Sequence, residues 1–234
     1  MTKLTVLTLV TKSYIKMLDD YFLPTLPKDI DRMKILYLND MDSVYGNASK
    51  ITTFEIKKLE MILEEIRANM GNNIFFIDGD VVFSGRTFKD EVNKILEEHD
   101  LLFQFNDAWY NFGVFAVNCN ERTEEFFCHF LEIEMPKAYN LSGLHDQHIV
   151  NGLLNIYHPN AGFTFETEKV FDNLKHTSLP IKYFANHLVA HRYPQDTPDD
   201  VILIHATNTY SMEEKKALMS DFKDRCYDSR QKES

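Results

Sequence analysis

Asp78 and Asp80 stand one residue apart, either side of Gly79, in the segment Ile74-Phe75-Phe76-Ile77-Asp78-Gly79-Asp80-Val81-Val82-Phe83. Four apolar residues precede the pair and three follow it, so it emerges from buried chain rather than from a solvated turn. The leading run has the composition of a buried strand. That places both carboxylates at the carboxyl edge of a sheet, where open α/β sheets bind their ligands. Across a single glycine both side chains can reach one cation, and Gly79 lets backbone or ligand approach closely. Hard cations such as Mg²⁺ or Mn²⁺ favour these oxygen ligands and keep positions open for substrate phosphates. The plainer alternative is a strand-ending turn whose aspartates cap the backbone. The apolar flanks favour the metal.

Other residues could complete such a site. His205 directly follows the apolar run Val201 to Ile204, so it too projects at a sheet edge. His187 and His191 are four apart but lie just before Pro194, with no glutamate between them, and read as packed or surface histidines. Asp146 and Gln147 sit between His145 and His148 at the start of a helical segment, where the Asp can cap the helix and the histidines can cap it or line a pocket. Lys57 and Lys58 lie on the helix preceding the Asp78 strand, and one of them falls near the sheet edge, as a cation facing an anionic ligand or as a solvated helix charge. Lys12 and Arg86 are comparable candidates. Thr11, Tyr14 and Asn39, polar residues near the ends of the first two strands, are candidates for nucleotide contacts. Asp107, beside Asn106 at a strand end, could grip a hydroxyl. Trp109, the one tryptophan, adjoins Tyr110 and could stack on a sugar ring or belong to local core.

These residues need a scaffold, and the chain supplies strand and helix in alternation. Apolar, β-branched runs predict strands over Leu4 to Val10, Met33 to Leu38, Ile74 to Ile77, Leu101 to Phe105 and Gly113 to Val117. Short strands are expected near Phe163, over Ile181 to Phe184 and over Val201 to Ile204. Helical spacing marks Tyr14 to Phe22, Ile51 to Asn69, Thr87 to Glu98, Glu121 to Glu134, Asp146 to Asn155 and Met212 to about Arg225. Gly71 is placed to stop the second of these helices. No repeat or linker interrupts the pattern. The reading is one α/β domain over residues 1–227, a mixed central sheet flanked by helices, with a polar tail at 228–234.

Composition narrows the function. The 234 residues are 44% hydrophobic and 26% charged, an ordinary globular mix. Lys and Arg number 25 against 36 Asp and Glu, a net charge of −11, which disfavours nucleic acid as a partner. Phosphate groups would then be handled through a bound metal, not a basic surface. No apolar run approaches the roughly 18 residues of a membrane span. Three cysteines, Cys119, Cys128 and Cys226, show no zinc spacing and fit a reducing, cytoplasmic setting without a leader segment.

The segment around Asp78 and Asp80 resembles the Asp-x-Asp motif of the nucleotide-diphospho-sugar glycosyltransferases with the A-type, Rossmann-like fold. Further pieces follow in that family's order. Leu4 to Thr11 resembles its first nucleotide-binding strand, and Asn111-Phe112-Gly113 resembles the Asn-x-Gly start of the strand lining the donor-sugar pocket. His145-Asp146-Gln147 resembles its Asp-Gln element, and Ile202 to Thr207 its late strand with a terminal metal-binding histidine. Phe112 departs from the small residue usual there. The resemblance implies a metal-dependent, retaining transferase using Mn²⁺ or Mg²⁺. It would move glucose or a close derivative from a UDP-sugar to a glycan or glycoprotein acceptor. It implies Asp80 and His205 as metal ligands, with Asp78 reaching the metal directly or through water, or binding the ribose. Thr11, Tyr14, Asn39, Lys58, Asp78, Asp107 and Asn111 would contact the donor, and Asp146 and Gln147 would face the reacting carbon. Two other readings remain: a haloacid-dehalogenase-type phosphatase with Asp78 as nucleophile, and a nucleotide-sugar-binding domain without turnover.

Overall fold

The computed structural model of the chain describes residues 2–39, 53–106, 109–138, 144–156, 171, 173–180, 184–186, 201–207, 209 and 211–232. Its centre is a six-stranded sheet in the order β2-β1-β3-β6-β5-β7. β1 (Leu4–Thr11) pairs in parallel with β2 (Arg32–Leu38) on one side and β3 (Asn73–Ile77) on the other. β6 (Trp109–Asn118) then runs antiparallel to both β3 and β5 (Leu101–Asn106), and β7 (His176–Ser178) closes the far edge parallel to β5. A second, three-stranded sheet in the order β4-β9-β8 lies against this one. It consists of β4 (Val81–Phe83), β8 (Phe184–Asn186) and β9 (Leu203–His205).

The central strands are buried on both faces, which is why they read as continuous apolar runs. On β1, Leu7 and Leu9 pack towards Leu59, Ile62 and Ile66 of helix α3 (Thr53–Ala68). Leu4, Val6 and Val10 face the other way, onto Phe22, Phe88 and Val92. The same alternation puts Phe76 and Phe115 on the first face and Phe75, Val114 and Ala116 on the second. After β1 the chain turns through a 3-10 turn (Lys12–Tyr14), α1 (Ile15–Met17), a π turn (Leu18–Phe22) and α2 (Leu23–Thr25). That run is longer than the Tyr14 to Phe22 helix expected from spacing. Gly71 sits after α3 at φ 78°, a left-handed conformation glycine adopts without strain, in the turn that delivers β3.

Several boundaries differ from the sequence expectation for identifiable reasons. Helix α4 (Lys89–Leu96) starts two residues later than Thr87, where the Asp29 carboxylate accepts from the backbone N–H of both Phe88 and Lys89 at 2.9 Å. Helix α5 (Glu121–His129) starts where expected, capped by Asn120, whose Oδ1 accepts from Thr123 N at 3.1 Å. It then loosens into a π turn (Phe130–Glu134) before α6 (Met135–Ala138). Trp109 opens β6 rather than sitting in a loop. Helix α7 (Asp146–Leu153) matches its expected place, and helix α8 (Met212–Lys232) runs past Arg225 into the polar tail. β9 begins at Leu203 and takes His205 into the strand instead of leaving it beyond the end. The strand expected near Phe163 lies outside the described residues, as do residues 181–183; Phe184 opens β8. Among the described residues no helix is long and apolar enough to cross a membrane.

One buried carboxylate ties the sheet to the helix layer. Asp100, 1% exposed, accepts from Arg122 Nη2 at 2.6 Å, Asn120 Nδ2 at 2.8 Å and the backbone N–H of Lys175 at 2.9 Å. Burial alone would raise its pKa, but Arg122, Lys175 N–H and Asn120 outweigh it and hold the carboxyl below its ordinary 3.8. A depressed carboxyl adds stability that is complete above its unfolded value and fades as pH falls through the folded one. Asp100→Ala is therefore expected to cost on the order of 2 kcal/mol at pH 7, because three donors lose their acceptor. Urea unfolding at pH 7 and below pH 4 checks it: the gap between variant and wild type should narrow in acid.

Candidate metal centre

β3 carries the chain to Asp78, whose backbone N–H donates to Gly113 O on β6 at 2.7 Å. The chain then turns at Gly79-Asp80 and returns as β4. β4 pairs antiparallel with β9 in a register that sets Val81 opposite His205, and Ala206 N donates to Asp80 O at 3.0 Å. That pairing brings His205 to the aspartates across a long stretch of chain. One ligand atom from each of Asp78, Asp80 and His205 lies within 4.8 Å of the other two. His205 Nε2 is 3.2 Å from Asp80 Oδ1 and 3.9 Å from Asp78 Oδ2. Lys215 of α8 forms a buried ion pair with Asp80 Oδ2, its ammonium 5.7 Å from the Tyr14 ring centre.

The two aspartates are tuned apart. Burial pushes the Asp78 carboxyl up to about 6; Lys58 opposes this shift and the neighbouring Asp80 charge adds to it. Burial acts on Asp80 in the same sense, but Lys215 and His205 overcome it and hold that carboxyl far below the usual carboxylate range. At neutral pH both are ionised beside a histidine nitrogen. Two carboxylates and an imidazole suit a divalent cation such as Mn²⁺ or Mg²⁺. The site opens into a cavity of about 290 Å³ between the ends of β1 and β3, also lined by Thr11, Tyr14, Phe54, Thr207 and Thr209. The Thr209 hydroxyl is buried there with no hydrogen-bond partner among the described residues, as expected of a group whose partner is a ligand.

Of the residues singled out in the sequence, Thr11, Tyr14, Asp78, Asp80 and His205 line this cavity. Asn39 is exposed just after β2 and is not part of the lining. Lys58 is buried beside it: its ammonium donates to Asp146 Oδ2 at 3.0 Å and Phe112 O at 2.5 Å, 4.3 Å from the Phe112 ring centre. Lys57 is exposed and pairs with Glu60. Asp146 occupies the first turn of α7, where burial and the Glu55 carboxylate raise its pKa against the pull of Lys58. Gln147 Oε1 accepts from Phe112 N at 3.2 Å. Asn111 is buried, its Oδ1 accepting from Gly113 N at 2.6 Å. The bulky Phe112 does not enter the cavity; its ring stacks on Phe115 in the core and floors the Lys58 ammonium. Asp107, His187 and His191 lie outside the described residues.

Three contributors carried no spacing signal in the sequence. Lys215 sits in an ordinary Glu-Glu-Lys-Lys helix start, and Thr207 and Thr209 lie in an irregular segment. Gly113, part of the Asn-x-Gly resemblance, also lies against the site. A Cβ there would overlap Asp78 Oδ2 and stand 2.8 Å from His205 Cε1 and 2.9 Å from Asn111 Oδ1. At Gly79 a Cβ would stand 2.8 Å from Val10 Cγ1.

The family described as nucleotide-diphospho-sugar transferase matches residues 45–219. No curated protein matches the chain. Among solved structures, a glycosyltransferase involved in glycosylation of the major capsid of the chlorella virus PBCV-1 is similar. It shows a TM-score of 0.60 and 13% identity over 93% of this chain and 98% of that one. GlyE of Streptococcus pneumoniae TIGR4 aligns at TM-score 0.56 and 14% identity, over 96% of this chain and 64% of its own. Mouse xyloside xylosyltransferase 1 aligns at 0.51 and 11%, over 90% and 100%. At these identities the likeness concerns the fold, that of the A-type glycosyltransferases.

The crowding at Gly113 yields a test. Gly113→Ala should push the Asp78 carboxylate and the His205 ring apart while leaving the fold intact. Mn²⁺ affinity, read by calorimetry, is expected to fall by more than about tenfold, as displaced ligand geometry commonly costs, with only a small drop in Tm.

Proposed function

The chain belongs to the nucleotide-diphospho-sugar transferase family and is a glycosyltransferase, and on that premise we propose that it transfers glucose or a close derivative from a UDP-sugar to a glycan or glycoprotein, with retention of configuration and with bound Mn²⁺ or Mg²⁺. The observation that carries this reading is the convergence of Asp78, Asp80 and His205 at the cavity between β1 and β3. Residues 1–227 would form the catalytic domain, with 228–234 a polar tail. UDP and glucose rest on the resemblance to the family. A glycoprotein acceptor gains support from the similar fold of a protein involved in capsid glycosylation. The free thiols of Cys119 and Cys128 support a reducing, cytoplasmic setting. Family membership leaves no place for the phosphatase reading.

Asp78, Asp80 and His205 would hold the ion, and Thr11 and Tyr14, at the end of β1, would meet the nucleotide; Asn39 and Asp107 remain donor contacts on this reading. When bound, the divalent ion supplies the charge that stabilises the leaving diphosphate. Asp146 is clamped by Lys58 on one oxygen and by Gln147 N on the other, at 3.0 and 2.7 Å. A carboxylate held this firmly orients sugar hydroxyls, and Asn111 stands at the same wall. Gln147 carries no base. Retention then needs either a nucleophile on the face opposite the diphosphate, or a leaving diphosphate that itself takes the acceptor's hydroxyl proton as its bond to the anomeric carbon breaks.

Mixing the protein with UDP-glucose and Mn²⁺ should release UDP, and EDTA should stop it. Turnover that survives EDTA would sink the metal-dependent mechanism. Asp80→Asn should lower the rate on the order of 10²–10³-fold, the usual cost of removing one electrostatic stabiliser. Asp146→Ala separates sugar binding from capping: turnover collapses with the fold intact in the first case, and only Tm falls in the second. The anomeric proton of the product, read by NMR, should keep the donor's configuration.

A further inference from the structure

Gln104 is the one polar side chain in the apolar strand Leu101 to Phe105, and it is fully buried. It lies where the β5–β6 pairing slips: Phe103 faces Phe115, yet Gln104 faces Asn111, leaving residues 112–114 as a bulge on β6. By strand alternation Gln104 shares the face of Leu102, towards the small sheet. Its Nε2 donates to two backbone carbonyls of β8, Phe184 O at 3.1 Å and Ala185 O at 3.0 Å. Its Oε1 stands 2.9 Å from His205 Nδ1 on β9.

We propose that Gln104 is a positioning residue that fixes the ring orientation and tautomer of His205, so that Nε2 faces Asp78 and Asp80 as an open donor. The proposal rests on the metal-centre reading above. The logic is one of hydrogen-bond accounting. Carbonyl oxygens only accept, so Phe184 O and Ala185 O together take the amide N–H groups. Flipping the amide would set Oε1 against both carbonyls, leaving three acceptors in contact and no donor. The amide orientation is thereby forced, and Oε1 can only accept from His205. Nδ1 must carry a proton, and in the neutral ring the Nε2 lone pair points at the two carboxylates. A lone pair facing two anions is unfavourable alone and is what a cation would use. Ligating histidines are commonly oriented in this way through their second nitrogen, and losing that partner costs about 10–100-fold in metal affinity.

Two variants and one spectrum test this. In metal-free wild type, long-range ¹H–¹⁵N NMR of the histidine rings should show His205 with its proton on Nδ1. Gln104→Met removes the acceptor; the tautomer should shift towards Nε2–H and Mn²⁺ binding should weaken by about 10–100-fold. Gln104→Glu loses the two bonds to β8 as well but restores an acceptor to Nδ1, so Mn²⁺ affinity should return to within a few-fold of wild type while Tm stays low. A role confined to holding β8 would give equal affinities in both variants, and that result overturns the proposal. A wild-type His205 whose Nδ1 carries no proton overturns it too, and decides the matter if Gln104→Met fails to fold. Absence of saturable Mn²⁺ binding in wild type would instead remove the metal centre itself, a failure visible before any variant is made.

Discussion

Two carboxylates one residue apart in a crevice repel each other, and burial penalises the charge of each. Asp78 and Asp80 are both ionised at neutral pH only because cations and dipoles are brought to them from distant parts of the chain. Lys215 arrives on α8, His205 on β9 and Lys58 on α3. The division of labour is uneven. Asp80 holds an ion pair and a histidine contact, while Asp78 feels Lys58 only at longer range and accordingly titrates near 6. Breaking β4 from β9, or α8 from the sheet, would leave that charge uncompensated, so the outer elements hold the site as much as the core does.

Close approach imposes a second constraint, on the backbone. The strand facing the site has no side chain at Gly113, since any Cβ would occupy the place of the Asp78 carboxylate. The bulge on β6 that carries Gly113 also sends Phe112 into the core and leaves Asn111 beside the aspartates. Behind it, aromatic rings lock the two sheets together. Phe75 of β3 meets Phe88 at 5.2 Å and Phe184 of β8 at 6.0 Å, both edge to face. Gln104 adds to the same junction, holding the Phe184 and Ala185 carbonyls of β8 and reaching His205 on β9.

The central strands were legible because burial on both faces writes itself as unbroken apolar runs. Asp78 and Asp80 were legible because such a run ends in charge. His205 was placed within one residue by the same argument. What the sequence hid depends on tertiary partners. Asp29 starts α4 from outside it, and the slip between β5 and β6 has no local marker. Lys58 was expected at the diphosphate but is held by Asp146 and a carbonyl, a pairing that needs α3 and α7 to be docked. Lys215 looks like any solvated helix lysine until α8 is laid across the cavity. Gln104 belongs with these: its hydrogen bonds form only once β8 and β9 are laid against β5.

The acidity of the whole chain acquires meaning at the site. A protein with net charge −11 that must hold a nucleotide diphosphate repels its ligand at long range. Among the described residues, the carboxylates of Asp78, Asp80, Asp146 and Glu55 stand with the Lys58 and Lys215 ammonium groups and the His145 and His205 rings. Carboxylates outnumber the ammonium groups there, and such an oxygen-rich set suits a divalent cation. A bound divalent cation would offset that surplus, and a diphosphate would then meet less repulsion near the Lys215 ammonium. The effect follows from Coulomb's law at short range, where a few ångströms in a partly buried site are worth several kcal/mol at an effective dielectric of about 20. On the proposed reading, a cation held by Asp78, Asp80 and His205 would draw the donor's anionic end into the crevice.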